Sequence, residues 1–163
     1  MSFVTDYLVQ RGLAFESIPH ARAFTSIEEA RALGIDADEV VKTIALSTAS
    51  GHVLAVIPAS RRLDMRMVRR AVGDNQARLA TEDELQLDFA ACELGALPPL
   101  GSLLHAPTYV DPEIMQHDMV VFATGSQTES AKARAQELFD GEHVTIVPLT
   151  PRPEQASEQP IAT

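Results

Sequence analysis

The chain has 163 residues, 45% hydrophobic and 22% charged, the composition of one globular domain, and its single cysteine, Cys92, excludes an internal disulfide framework or a multi-cysteine zinc site. No apolar run approaches the ~18 residues of a membrane helix, and Asp6 stands where a signal peptide would be basic, so a soluble cytoplasmic protein is expected. Thirteen basic against twenty-three acidic side chains give a net charge of −10, which if evenly spread would repel a phosphate backbone.

In chain order, Val4 to Val9 reads as a short amphipathic helix stopped at Arg11-Gly12. The alternation from Ala14 to Ile18, closed by Pro19, predicts a strand. Ser26 with Glu29 makes a capping box for a helix running to Gly34. Two β-rich runs, Val40 to Ser47 and Val53 to Ile57, flank the turn residues Ser50 and Gly51 and predict a hairpin. Asp64 can cap a helix from Met65 to Val72 that ends at Gly73. A short strand near Ala77 to Ala80 leads to a second capping box, Thr81 with Glu84, and a helical stretch to Leu87.

From Asp88 to Gly101 no periodicity survives, and Pro98-Pro99 forbids regular pairing, so this apolar stretch is read as a loop. Strands are expected at Thr108 to Val110 and Met119 to Thr124. Ser126 with Glu129 is expected to cap a helix through Leu138, ending by Gly141, and Val144 to Val147 is the last strand. The domain is drawn over residues 1–150, and the patternless residues 151–163 are read as a flexible tail.

The charge is uneven. Arg61, Arg62, Arg66, Arg69, Arg70 and Arg78 face only Asp64 and Asp74 in the same stretch, a local +4 that leaves −14 for the rest of the chain. This is either a solvated helix face or an anion-facing patch. Lysine is scarce, with arginine supplying eleven of the thirteen basic residues. Lys42 lies in Val40-Val41-Lys42-Thr43-Ile44, so its ammonium either sits at a strand edge or points into a cleft where it would meet an anion.

Residues 95–101, Gly-Ala-Leu-Pro-Pro-Leu-Gly, match no phosphate-cradling template; their stiff backbone beside apolar side chains either holds an acyl group by shape or is a packed connector. The five histidines show no metal spacing, so neither a metal site nor a cofactor is expected. A lone cysteine is more often a small buried hydrophobe than a nucleophile, and Ser126 lacks the G-x-S-x-G elbow of serine hydrolases.

Together, His20 with Ala23-Phe24-Thr25 and Glu28-Glu29-Ala30, Val40-Val41-Lys42-Thr43, Pro58-Ala59, Ala80-Thr81-Glu82-Asp83-Glu84-Leu85, the 95–101 loop, Tyr109-Val110-Asp111 and Phe122-Ala123-Thr124-Gly125-Ser126 resemble the YbaK/ProX family of freestanding aminoacyl-tRNA editing domains, relatives of the editing insertion of bacterial prolyl-tRNA synthetases. The resemblance implies an α+β single domain with a mixed, barrel-like β-sheet and flanking helices. It implies hydrolysis of the ester joining a wrong amino acid to tRNA, by substrate-assisted chemistry without a protein nucleophile.

By the same resemblance Lys42, Gly95 and Gly101 are the catalytic positions, Lys42 meeting the tRNA acceptor end and the glycine loop the ester carbonyl. His20, Thr25, Thr43, Ala96, Leu97, Pro98, Pro99, Gly125 and Ser126 are the implied substrate-binding set, and Arg61, Arg62, Arg66, Arg69 and Arg70 the tRNA-binding set. The partner so implied is the aminoacyl-tRNA acceptor end, with no membrane; the charge of −10 argues either for contact limited to that end or for an aminoacyl-tRNA synthetase that holds the rest of the tRNA. Gln127 stands where many relatives have a histidine, and Ala96 and Pro98 stand where better-known relatives have glycine and serine, leaving the edited amino acid open. A non-catalytic module binding tRNA or a synthetase, and an esterase on small acyl groups, are the competing readings.

Overall fold

The computed structural model describes residues 2–151, so the expected tail lies, apart from Pro151, outside the described residues. Helix α1 (Phe3–Arg11) starts at Ser2, whose hydroxyl accepts the Thr5 N–H, and stops at Gly12 in the left-handed conformation that glycine adopts at least cost. Strand β1 (Phe15–Pro19) follows as expected. Helix α2 (Ser26–Leu33) is capped one residue earlier than the sequence suggested: Thr25 Oγ1 accepts the Glu28 N–H, and Glu28 reaches back to the Phe24 N–H. Glu29 is thereby freed from capping and turns into the interior.

The hairpin β2 (Val41–Thr48) and β3 (Gly51–Pro58) is tighter than the sequence implied, with two residues in its turn. Helix α3 (Met65–Val72) is capped by Asp64 and ends at Gly73, as read from sequence. β4 (Arg78–Leu79) and α4 (Glu82–Asp88) follow, the latter with the full Thr81–Glu84 capping box. The apolar loop then delivers a short helix, α5 (Gly101–Leu104), that no sequence pattern announced. β5 (Thr108–Val110) and β6 (Met119–Ala123) are as expected.

One expectation fails. Residues expected to open a helix after Ser126 form strand β7 (Glu129–Arg134), and only α6 (Ala135–Asp140) is helical before β8 (Val144–Ile146). Alanine, lysine and arginine favour helix locally, but β7 is the middle strand of its sheet, paired with β1 on one side and β6 on the other, and that pairing outweighs propensity. Ser126 Oγ accepts the Thr128 N–H in a turn instead of capping a helix.

The α+β domain is thus built from two sheets: antiparallel β1-β7-β6, and mixed β4-β2-β3-β5-β8 with β3, β5 and β8 parallel. A parallel bridge between Val40 and Val121 links them, giving the barrel-like arrangement its seam. The main core lies between the sheets, where Val41, Val56 and Val110 meet Val120, Phe122, Ala131 and Ala133, closed by Val4 and Leu8 of α1 and Leu138 of α6. Each fully buried side chain of this kind contributes roughly 1.5–3 kcal/mol by leaving water. The opposite face of the larger sheet, carrying Leu46, Ala55 and Ile57, packs on Val68 of α3 and on Leu149. Buried Asp111 fixes that last segment by accepting the N–H groups of Leu149 and Thr150 and the Thr150 hydroxyl.

Candidate functional site

The edge of β2 away from β3 is bridged to β6 at Val40 and pairs with β4 only at Leu46 and Ser47, so the stretch between them is unpaired, and a cleft of about 450 Å³ opens there. Ala45 of β2, Leu79 of β4, Leu85 of α4, Phe89 at its C-terminal cap, and Leu97 of the loop form its apolar wall. Thr43 lines the same cleft, and its Oγ1 is the one buried side-chain polar atom among the described residues with no hydrogen-bond partner. An unpaired buried hydroxyl costs about 1–3 kcal/mol, which a ligand group could recover.

Two turns make the far wall. Gly125 and Gly95 both adopt left-handed backbone, and a Cβ at Gly95 would overlap the Phe24 carbonyl, so only glycine lets these segments close. The Gly125 N–H donates to the Ala96 carbonyl at 2.9 Å, and the Glu93 N–H to the Gly125 carbonyl at 2.8 Å. Gln127, conspicuous in the sequence for its departure from histidine, is fully engaged. Its N–H donates to Glu93, its Nε2 donates to the Leu94 carbonyl at 2.8 Å, and its Oε1 accepts from Arg22 at 2.8 Å. The wall from Glu93 to Ala96 is therefore pinned from behind by backbone and side-chain bonds.

Of the residues singled out in the sequence, Thr43, Gly95 and Leu97 line the cleft. His20, Thr25, Ala96 and Ser126 border a small crevice just behind the Gly95 wall, and buried Gly125 supports it. Pro98 and Pro99 are buried beyond the lining. Gly101 is also buried, where a Cβ would overlap Thr108 Oγ1 and the Ala106 carbonyl, so its lack of a side chain serves the packing of α5. Lys42 is exposed, and alternation on β2 puts it with Ile44 and Leu46 on the α3 face, one residue from Thr43 but outside the cleft lining.

Cys92 is in the cleft, and burial pushes its thiol up to about 11, so it is held neutral and is a poor nucleophile at neutral pH. Sequence reasoning missed Ala45, Leu85 and Phe89, because apolar side chains on or beside a helix or strand look alike whether they line a cleft or fill a core.

The arginine stretch divides. Arg61 pairs with Glu113 at 3.1 Å, Arg78 with Glu84 at 2.7 Å, and Arg69 Nε donates to the Ala77 carbonyl at 3.0 Å. Arg62, Arg66 and Arg70 are exposed and make no ion pair among the described residues. Arg66, Arg69 and Arg70 border a shallow depression with Asn75.

With this geometry in view, residues 20–140 match the aminoacyl-tRNA editing domain family. The chain is 26% identical over 121 residues to EbsC of Enterococcus faecalis, named as a candidate Cys-tRNA(Pro)/Cys-tRNA(Cys) deacylase, covering 72% of this chain and 73% of that one. It is 27% identical over 128 residues to the multifunctional Ser/Thr-tRNA deacylase ProXp-y of Escherichia coli, covering 76% of each. A crystal structure described as a candidate trans-editing enzyme for prolyl-tRNA synthetase superposes with a TM-score of 0.77 at 26% identity, covering 89% of this chain and 94% of that one. The chain belongs to the aminoacyl-tRNA editing domain family.

Proposed function

We propose that this chain is a trans-acting aminoacyl-tRNA deacylase that takes the aminoacyl group of a mischarged tRNA into the cleft between β2, α4 and the Gly95 loop. The observation that carries the reading is the cleft itself: an apolar wall of Ala45, Leu85, Phe89 and Leu97 facing a pinned glycine turn and one unpaired hydroxyl, Thr43 Oγ1. Relatives named as tRNA deacylases support it. An exposed Lys42 beside Thr43 is suited to the phosphates of the acceptor end outside the cleft, and the exposed Arg62, Arg66 and Arg70 to phosphates further along.

Hydrolysis then needs a positioned water and a carbonyl held still. The raised Cys92 thiol argues against a covalent acyl-enzyme, which favours attack by water oriented by the terminal ribose hydroxyl of the substrate. Water adds to the ester carbonyl, the tetrahedral oxyanion collapses, and the ribose oxygen leaves with a proton. The rigid Glu93–Leu97 segment limits how far the acyl group can move during these steps. An acidic body outside the arginine stretch makes a synthetase that holds the rest of the tRNA a suitable partner.

Incubation with tRNAs charged with Ala, Cys, Ser and Pro tests the reading. Loss of at least one charged species only when protein is present is expected. Full retention of all four, with measurable tRNA binding, would instead identify a binding module.

A further inference from the structure

His20 closes a chain of three side chains that the proposed reaction does not use. It follows β1, and its Nε2 lies 2.8 Å from Ser130 Oγ on β7. That hydroxyl donates in turn to the Glu29 carboxylate on α2. Ser130 and Glu29 are buried, and desolvation raises the Glu29 carboxyl above its usual range against the opposing pull of the Ser130 hydrogen bond and of His20. The other ring nitrogen, Nδ1, lies 2.7 Å from the Ala21 carbonyl oxygen, which only accepts, so Nδ1 carries a proton.

Counting protons shows what the chain demands. In one arrangement His20 Nε2–H donates to Ser130 Oγ and Ser130 donates to Glu29, leaving an imidazolium and a carboxylate. In the other a protonated Glu29 donates to Ser130 and Ser130 donates to Nε2, leaving both ends neutral. The two hold the same number of protons and interconvert by moving one from Nε2 to Oγ and one from Oγ to the carboxylate. With one proton fewer, Ser130 has a single hydrogen for two acceptors. With one more, carried on the Glu29 oxygen that Ser130 meets, two donors converge on Oγ and its own hydrogen loses its acceptor. Either change costs the chain one of its two hydrogen bonds to Ser130, of which the one to Glu29 is buried.

This chain ties down the segment that backs the cleft. The His20 N–H donates to the Thr128 carbonyl at 2.9 Å and the Ala23 N–H to the Gln127 carbonyl at 2.8 Å, while the Phe24 carbonyl abuts Gly95. The neighbouring charges are otherwise engaged: Glu28 accepts the Phe24 N–H, Arg22 bonds Gln127 and Glu93, and Glu129 accepts from Thr124. Lys132, two residues along β7, lies in a separate depression with Leu33 and Glu39, and Arg31 of α2 is exposed.

We propose that His20, Ser130 and Glu29 are positioning residues for the editing cleft, a shared-proton chain that holds segment 20–25 behind the Gly95–Ala96 wall within a bounded range of pH. The proposal rests on the deacylase reading for its effect on rate, but not for its proton coupling.

The test is an NMR titration of labelled protein over roughly pH 4 to 9, with the His20 ring signals identified by their loss in His20→Asn. In the wild type, His20 should titrate in two steps, one of them shared with the Glu29 carboxyl, as coupled groups do. Glu29→Gln should leave a single step, and Ser130→Ala, which supplies the same comparison if the first variant folds poorly, should uncouple the two groups. In parallel, deacylation by Glu29→Gln should show a several-fold higher KM with little change in kcat, and should lose the acid limb of the wild-type pH profile. A one-step His20 titration unchanged by Glu29→Gln, or superimposable pH profiles, would overturn the proposal. If the wild type deacylates no tRNA, the deacylase reading fails and the titration alone decides the proton chain.

Discussion

Thr43 separates a residue kept for the fold from one kept for a ligand. Its hydroxyl is buried and unpaired, so Thr43→Val, which keeps the shape and removes the polar atom, should leave stability unchanged or raise it by about 1 kcal/mol in urea unfolding. Deacylation by the same variant should fall, because the group the hydroxyl meets exists only in the complex. A variant that loses stability and keeps its rate would make Thr43 a structural residue. Lys42→Ala should also leave the fold intact, since the side chain is exposed, while losing about 2 kcal/mol of substrate stabilisation, roughly 30-fold in kcat/KM. An unchanged rate would return Lys42 to the role of an edge-strand charge. Both residues are visible in the sequence, Lys42 as an isolated lysine among apolar neighbours. The partners of Glu29 are not, because Ser130 is 101 residues away and nothing local in either stretch points to the other.

At the scale of elements, helix α4 shows which parts of the chain announce themselves. Its capping box is written in Thr81 and Glu84, and the structure reproduces it, because a cap is a contact between residues three apart. Strand β7 hides for the opposite reason: its reasons for being a strand are β1 and β6, far away in sequence. The cleft-lining role of Leu85 and Phe89 is equally silent until β2 and β4 are placed beside α4.

The Glu84 carboxyl is pulled from 4.5 down to about 2, first by the Arg78 side chain and then by the Thr81 N–H. A carboxyl depressed by folding stabilises the fold above its unfolded pKa and loses that contribution as pH falls through the folded one. Glu84→Gln should therefore melt below the wild type at pH values above about 4.5, and the difference should close between there and pH ~2. Melting temperatures that stay equally far apart at both ends would show that the charge is not what Glu84 supplies.

Across the whole molecule, the larger sheet keeps two surfaces apart. The face of β2 bearing Thr43 and Ala45 looks into the cleft, and the face bearing Lys42 and Leu46 looks toward α3, where the arginines are, with Ile44 packed on that side and reaching the cleft rim. An RNA that reaches both must pass around the sheet edge, with its terminal nucleotide on one side and its stem phosphates on the other. Charge reversal at Arg66 and Arg70 should then weaken tRNA binding and lower the log–log salt slope by about 0.7 to 0.9 for each phosphate that is no longer neutralised. Arg69 is best left in place, because its Nε holds the Ala77 carbonyl and reversal there would disturb the α3–β4 connection. Hydrolysis of a minimal aminoacyl-adenosine, which has no stem to reach α3, should proceed at the wild-type rate in the double variant. An unaltered slope would make these arginines a solvated face, and would leave the acidic body to depend on a partner for its hold on tRNA.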